Sequence, residues 1–292
     1  MDIELAPRHK RGLRLANPVM NAAGVLGFAG EYRRLVDFSQ LGAFVTNALT
    51  ATPRTPAHPP NVVELPEGVV IHTGLPNPGV AAALRRYAPE WRRSDQPVIV
   101  HLAATTPAEV RRSVERIEQI EALSGLELGL RDDVAAAEAA QLVQAALGNL
   151  PLLVQVPFGR TAELIPVLAQ AGGDALVVSA PPRVTVEAGG RKVTGRRYSP
   201  ADFPEALAAV TLAVEMLEAT PVVGAGGIWG IEQARALLGA GAAAVQVDAA
   251  VWRDPALLAR LAAELGDHKD EASAPQPPAS ASASEADVSA LA

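Results

Sequence analysis

Cysteine is absent from this chain of 292 residues. That excludes disulfides, thiolate metal sites and a cysteine nucleophile outright. Aromatic residues are scarce, at 4% of the total, while aliphatic side chains abound and bring the apolar share to 49%. This is the composition of an α/β protein with buried parallel strands and alanine-rich helices. Long hydrophobic runs are missing too. The longest apolar stretch, Ala236 to Val247, is broken by Gly239 and Gly241 and is too short to cross a membrane. The first residues lack the apolar segment of a signal peptide, so a cytoplasmic location is expected. Excess positive charge is also lacking. A net charge of −7 provides no basic face to neutralise phosphates, so nucleic acid is not an expected partner.

The composition changes after Gly266. Residues 267–292 are alanine, serine and proline with scattered acids, and they carry a net −4 of the −7. Such a segment cannot bury enough apolar surface to order itself, so it is expected to be a disordered tail behind one domain of residues 1–266.

Within 1–266, eight short apolar runs recur: 18–24, 43–49, 97–103, 126–130, 152–157, 175–180, 221–227 and 243–249. Most are valine-rich and apolar at consecutive positions, as strands buried on both faces are. Helical patterns separate most of them. Thr106-Pro107-Ala108-Glu109 places a threonine cap, a proline at the first helical position and a glutamate to complete a capping box. Asp254-Pro255 opens the last helix in the same manner. Eight such units in this length predict a closed (β/α)₈ barrel, with a doubly wound open sheet as the alternative. Two connections are long. Residues 50–77 follow the second strand, and residues 181–200 contain a predicted hairpin around Gly189-Gly190, inserted between strands six and seven. Both fall on the face where barrels of this kind place their sites.

The segments NPVMNAAGVLGFAGEY, LGAFVTNALTATPRTPAHPPNVVELPEGVVIHTGLPNPGV and VVGAGGIWGIEQARALLGAGAAAVQVDAAVW resemble, in order, those of the soluble class of dihydroorotate dehydrogenases. The resemblance covers roughly residues 1–260. It implies a barrel that binds FMN across its mouth and oxidises dihydroorotate, with hydride passing to the flavin and a proton to a side-chain base. It also implies flavin contacts at Ala23, Gly24, Asn47, Gln155, Ser179, Gly226, Gly227, Asp248 and Ala249. Substrate contacts are implied at Asn21, His72, Gly74, Leu75 and Asn77.

Most of the family's catalytic and flavin positions are nevertheless replaced. Asn47 and Gln155 stand where the family has lysines. Gly129 stands where it has an asparagine, and Asp132 lies near the position of the base. Ala180 replaces a substrate asparagine. The last strand should end in glycine and a hydroxyl residue, and here it ends in Asp248-Ala249. A carboxylate about 4 Å from a phosphate costs about 4 kcal/mol per charge pair at an effective dielectric of 20. Protonating an ordinary aspartate would cost about as much, so FMN is expected to be weakly held or lost.

Several residues carry two readings. Asp132 is either a substitute base or the N-cap of the following helix. Asn21 and Asn77 either contact ligand or satisfy backbone. His72 and His101 invite a metal or acid–base reading, but no third ligand accompanies them, so no metal is expected. Asp248 either caps a loop or selects a cationic group. Arg183, Arg191, Lys192, Arg196 and Arg197 make the hairpin basic, as a solvated lid or an attractor of anions. Two functions remain. The lost positions favour a degenerate barrel related to pyrimidine biosynthesis, which binds a small molecule at its mouth or works as a partner or regulatory subunit, as a homodimer or a heterodimer with a related barrel. The alternative is an active FMN-dependent oxidoreductase.

Overall fold

The computed structural model describes residues 3–267 except Ser179, and the tail beyond residue 267 lies outside the described residues. Eight parallel strands build the centre: β1 (Val19–Asn21), β2 (Phe44–Val45), β3 (Val98–Ala103), β4 (Gly125–Gly129), β5 (Leu152–Val156), β6 (Ala175–Val178), β7 (Val222–Ala225) and β8 (Ala244–Val247). They pair in the order β1-β8-β7-β6-β5-β4-β3-β2. A parallel bridge from Met20 to Ala43 joins the two ends of that series. A sheet whose end strands meet forms a barrel, so the doubly wound alternative is excluded. Each of the eight expected runs overlaps a barrel strand.

Alternation along the strands explains why consecutive residues are apolar. Met20, Val45, Ile99, Leu153, Val177 and Val223 point inward and pack together with Leu5, Leu13 and Leu15. Those three leucines flank or lie in an antiparallel ribbon, Ile3–Glu4 against Arg14–Leu15, which plugs the end where the strands begin. The intervening residues, such as Val98, Val100, Leu126, Val154, Leu176 and Val245, face the helical shell.

That shell comprises α1 (Val80–Trp91), α2 (Pro107–Ile117), α3 (Ala136–Ala146), α4 (Thr161–Ala171), α5 (Phe203–Met216), α6 (Ile231–Gly239), the short α7 (Ala250–Arg253) and α8 (Leu257–Asp267). Between β1 and β2 there is only a 3-10 turn, Phe38–Gln40. Thr106 caps α2 as expected, its hydroxyl accepting the Glu109 N–H at 3.3 Å. Asp254 sits three residues ahead of α8, and its carbonyl accepts the Leu257 N–H. The expected cap at Asp132 is not formed. Helix α3 starts four residues later, with Ala135 at the N-cap and no side-chain bond, because the run of alanines supplies helix propensity only from there.

The two long loops form one structure. Arg183–Ala188 and Arg191–Tyr198 make the predicted hairpin, and Gly189 and Gly190 both take positive φ, 57° and 73°, as a type I′ turn requires. The second strand of that hairpin pairs with Gly68–Ile71, which pairs in turn with Val62–Leu65. The result is a four-stranded antiparallel sheet raised from the loops after β2 and β6, on the face where the barrel strands end.

Candidate functional site

The floor of the mouth is set by strand register. His101 on β3 lies opposite Glu127 on β4, and Gly129 at the end of β4 lies opposite Gln155 on β5. Glu127 is fully buried, as is Gln246 on β8, and His101 is 5% exposed. Glu127 Oε1 lies 2.7 Å from His101 Nδ1, and its Oε2 accepts from Gln246 Nε2 at 2.5 Å. One carboxylate therefore ties together three strands across the barrel interior. The His101 ring continues upward into the space left by Gly129, where a Cβ would collide with Nε2. Glycine at 129 and histidine at 101 are thus complementary: the ring takes the volume that a side chain at 129 would fill.

The residues implied for ligand contact divide into two groups. Asn21 and Asn77 are buried and engaged with their own chain. Asn21 Nδ2 donates to Val45 O at 2.6 Å while its Oδ1 accepts the Val45 N–H, which staples β1 to β2. Asn77 accepts from Gly79 N–H and donates to Leu75 O and to the Thr50 hydroxyl. Gly74 takes a φ of 77° and Leu75 one of 55°, so this turn is held in the left-handed region by the Asn77 clamp. His72 is partly exposed at the exit of Gly68–Ile71, its N–H bonded to Asn61 O. The rim group is open. Gly24 is exposed at a φ of 89° with nothing over it, Ala23 is partly buried beside it, and Gln155 is partly exposed. Asn47 accepts from the Gly27 N–H at 3.2 Å and is also partly buried. Ser179 lies outside the described residues.

Asp132 sits on the loop after β4, where Arg196 of the hairpin donates to its Oδ1 at 2.6 Å and to Pro181 O at 2.8 Å. Arg160 holds the same loop through the carbonyls of Asp132 and Val134. The carboxylate near the family's base position is therefore an ion-pair partner of the covering sheet. Two residues further along the hairpin, Tyr198 packs on Trp252 of α7, with ring centroids 6.3 Å apart. The hairpin strand thus reaches from the β4 loop to the β8 end, spanning the mouth.

At that β8 end the side chains are buried. Gly226 and Gly227 have φ of 98° and 68°. A Cβ on Gly227 would come within 2.6 Å of Phe203 N, so glycine there serves the approach of α5. Ala249 is buried at the start of α7. Asp248 is 5% exposed, and its Oδ1 has no hydrogen-bond partner among the described residues. Burial pushes its carboxyl group up to about 7, against the opposing pull of the Ala250 and Ala249 N–H groups and with the help of the Asp202 charge. Burial and the Asp248 charge also raise Tyr198 above the usual phenol value.

This changes the expected balance at the phosphate end. Protonating an ordinary aspartate at pH 7 costs about 4 kcal/mol, at 1.36 kcal/mol per pH unit. With the group already near 7, the acid form is available at a cost below about 1 kcal/mol, and an acid donates to phosphate where a carboxylate repels it. The residues at this end therefore fit a phosphate with Asp248 protonated, and the expected repulsion does not by itself exclude FMN.

Glu127, Gln246 and Tyr198 were not recognised from sequence. The available signal was a glutamate in LELGL and a glutamine in VQV, each on the inward face of an otherwise apolar strand. Among the described residues, no group of three metal-ligating side chains occurs and no helix is long and apolar enough to cross a membrane.

Comparison with known proteins agrees with this architecture. A family model described as dihydroorotate dehydrogenase matches residues 8–129. The chain is 33% identical over 282 residues to a protein of Desulforudis audaxviator, covering 89% of this chain and 91% of that one. It is 31% identical over 278 residues to one of Geotalea daltonii, covering 88% and 90%. Both relatives are named dihydroorotate dehydrogenase B (NAD(+)), catalytic subunit. A crystal structure of the Eimeria tenella dihydroorotate dehydrogenase in complex with ferulenol superposes with a TM-score of 0.75. It shares 16% identity and covers 90% of this chain and 83% of that one, which supports the fold.

Proposed function

The chain belongs to the dihydroorotate dehydrogenase family, and from that premise we propose that it is an FMN-dependent oxidoreductase acting on dihydroorotate or a closely related cyclic amide in pyrimidine biosynthesis. The observation that carries this reading is the mouth itself: partly exposed polar side chains at Asn47 and Gln155 beneath a sheet anchored on both sides of the barrel. Gly24 and Ala23 at the rim, with Gly226, Ala249 and acid-form Asp248 at the far end, would hold the flavin. When bound, it supplies the hydride acceptor. The relatives' names suggest a larger assembly, so a second subunit passing electrons to NAD(+) is the proposed partner.

A second reading has its own observation. Asn47 and Gln155 are neutral, and neither can supply the cation that helps to hold charge on a reduced flavin. On this reading the barrel binds a small molecule without flavin, as a partner or regulatory chain. One experiment separates the two. The purified protein is scanned for a flavin absorption band and, if colourless, its Tm is followed at pH 6 with millimolar FMN. A stoichiometric band or a rise in Tm supports the oxidoreductase, since a ligand of the native state raises Tm by mass action. A colourless protein with an unchanged Tm leaves the second reading.

A further inference from the structure

We propose that His101 is the acid–base group of this site, its imidazole oriented by Glu127 and Gln246. The inference rests on the reading of the mouth as an enzyme's site, and it assigns the proton transfer that Asp132, paired with Arg196, is poorly placed to perform. Three strands contribute one side chain each, and the order of contact runs from the interior outward. Gln246 donates to one oxygen of Glu127, and the other oxygen faces His101 Nδ1. A carboxylate that accepts from the Nδ1 N–H fixes the tautomer and leaves the Nε2 lone pair free. Among the described residues, Nε2 makes no hydrogen bond, and it projects into the space over Gly129. Gly129 and its register neighbour Gln155 are both partly exposed, so this space opens on the mouth.

The chemistry that follows is proton removal from a carbon beside a ligand carbonyl. The C–H bond breaks, its proton passes to Nε2, and Glu127 stabilises the imidazolium. In an oxidation the electron pair forms the new carbon–carbon double bond as the adjacent carbon gives up hydride to an oxidant of the isoalloxazine class. Without that oxidant the pair rests in an enolate and returns to carbon, exchanging the hydrogen with solvent. His101 is the catalytic residue in this scheme, while Glu127 and Gln246 are positioning residues.

The test uses the full chain labelled with 15N-histidine, whose five imidazoles are resolvable, with the His101 signals assigned from His101→Gln. The expected result is an Nδ1–H tautomer at His101, an Nε2 resonance that moves when orotate is added, and loss of the tautomer preference in Glu127→Gln. Turnover of dihydroorotate by His101→Gln and His101→Asn is expected to fall about 100-fold or more in kcat, with KM little changed and the acidic limb of the pH profile gone. Variants with wild-type cooperative unfolding qualify for that comparison. Orotate that raises the Tm yet leaves the His101 ring untouched overturns the inference, as does full turnover in His101→Gln. Orotate that leaves the Tm unchanged overturns the functional reading instead. The tautomer then still tests the geometry: an Nε2–H ring at His101 overturns the inference as well.

Discussion

Glu127 and Asp248 both lie buried toward the mouth of this barrel, and the fold surrounds them in opposite ways. Both oxygens of Glu127 are engaged, one with an imidazole and one with an amide. Among the described residues Asp248 has an oxygen without a partner, and burial has carried its carboxyl group to about 7. A fully paired carboxylate holds another group in place. A half-paired one retains the capacity to take a proton or a donor from outside, because an unsatisfied buried oxygen is unfavourable until something reaches it. The first belongs to the scaffold of the site and the second to its adjustable end.

Removing the partner of the paired carboxylate is the most severe way to break that contrast. His101→Ala leaves Glu127 buried with half of its contacts, and a buried carboxylate oxygen left without its donor costs about 3 kcal/mol or more. Urea unfolding monitored by circular dichroism should show that loss. A change below about 1 kcal/mol would mean that Glu127 does not depend on His101 for a partner.

The half-paired carboxylate predicts the opposite sign. Asp248 has an ordinary value of 3.8 when unfolded and about 7 when folded. Between these values the unfolded chain has lost the proton and the folded chain keeps it, so stability falls as pH rises from about 4 to 7 and is level above. Asp248→Asn keeps an acceptor and removes the charge. It should stabilise the protein at pH 8 by about 2–4 kcal/mol and flatten the decline between pH 4 and 7. FMN affinity in the wild-type protein should strengthen as the pH falls through 7. Parallel pH–stability curves for the two proteins would show that Asp248 does not titrate as placed.

The complementarity of Gly129 and His101 provides a milder test. Gly129→Ala adds one methyl where Nε2 already lies, and overpacking of this kind costs about 1–3 kcal/mol. In a His101→Ala background the same methyl should be accommodated, so the double-mutant cycle should show coupling. Additive costs would show that the ring does not occupy that space.

The sequence disclosed the barrel far better than its mouth. Every barrel strand was visible because burial on both faces makes most consecutive residues apolar, as in Val98–Ala103 and Leu152–Val156, whereas Val62–Leu65 and Gly68–Ile71 lay unrecognised in a long connection; Thr106-Pro107 marked a helix start by local chemistry alone. Asp132 misled because a cap and an ion-pair partner look alike until a residue 64 positions away arrives. Glu127 and Gln246 were missed because their partnership spans 119 residues, and only the inward parity of two short strands hinted at it. The raised Asp248 carboxyl had no local signature at all, since its cause is the burial that β8, α7 and the covering sheet create together.

The smallest effect concerns the covering sheet. Arg196 and Asp132 are each about one-third exposed, 31% and 32% at the side chain, so their pair is screened by water and contributes about 1 kcal/mol or less to global stability. Its local effect should be larger than its global one. Arg196 links the hairpin to the β4 loop, whereas Tyr198 and Trp252 link it to α7, so losing one anchor frees one side of the sheet while the barrel stays intact. Arg196→Ala should therefore leave the urea midpoint nearly unchanged while hydrogen exchange speeds up in Arg183–Ala188 and at the Asp132 loop. Exchange that rises equally throughout the barrel strands would place Arg196 with Glu127, among the groups that hold the fold together.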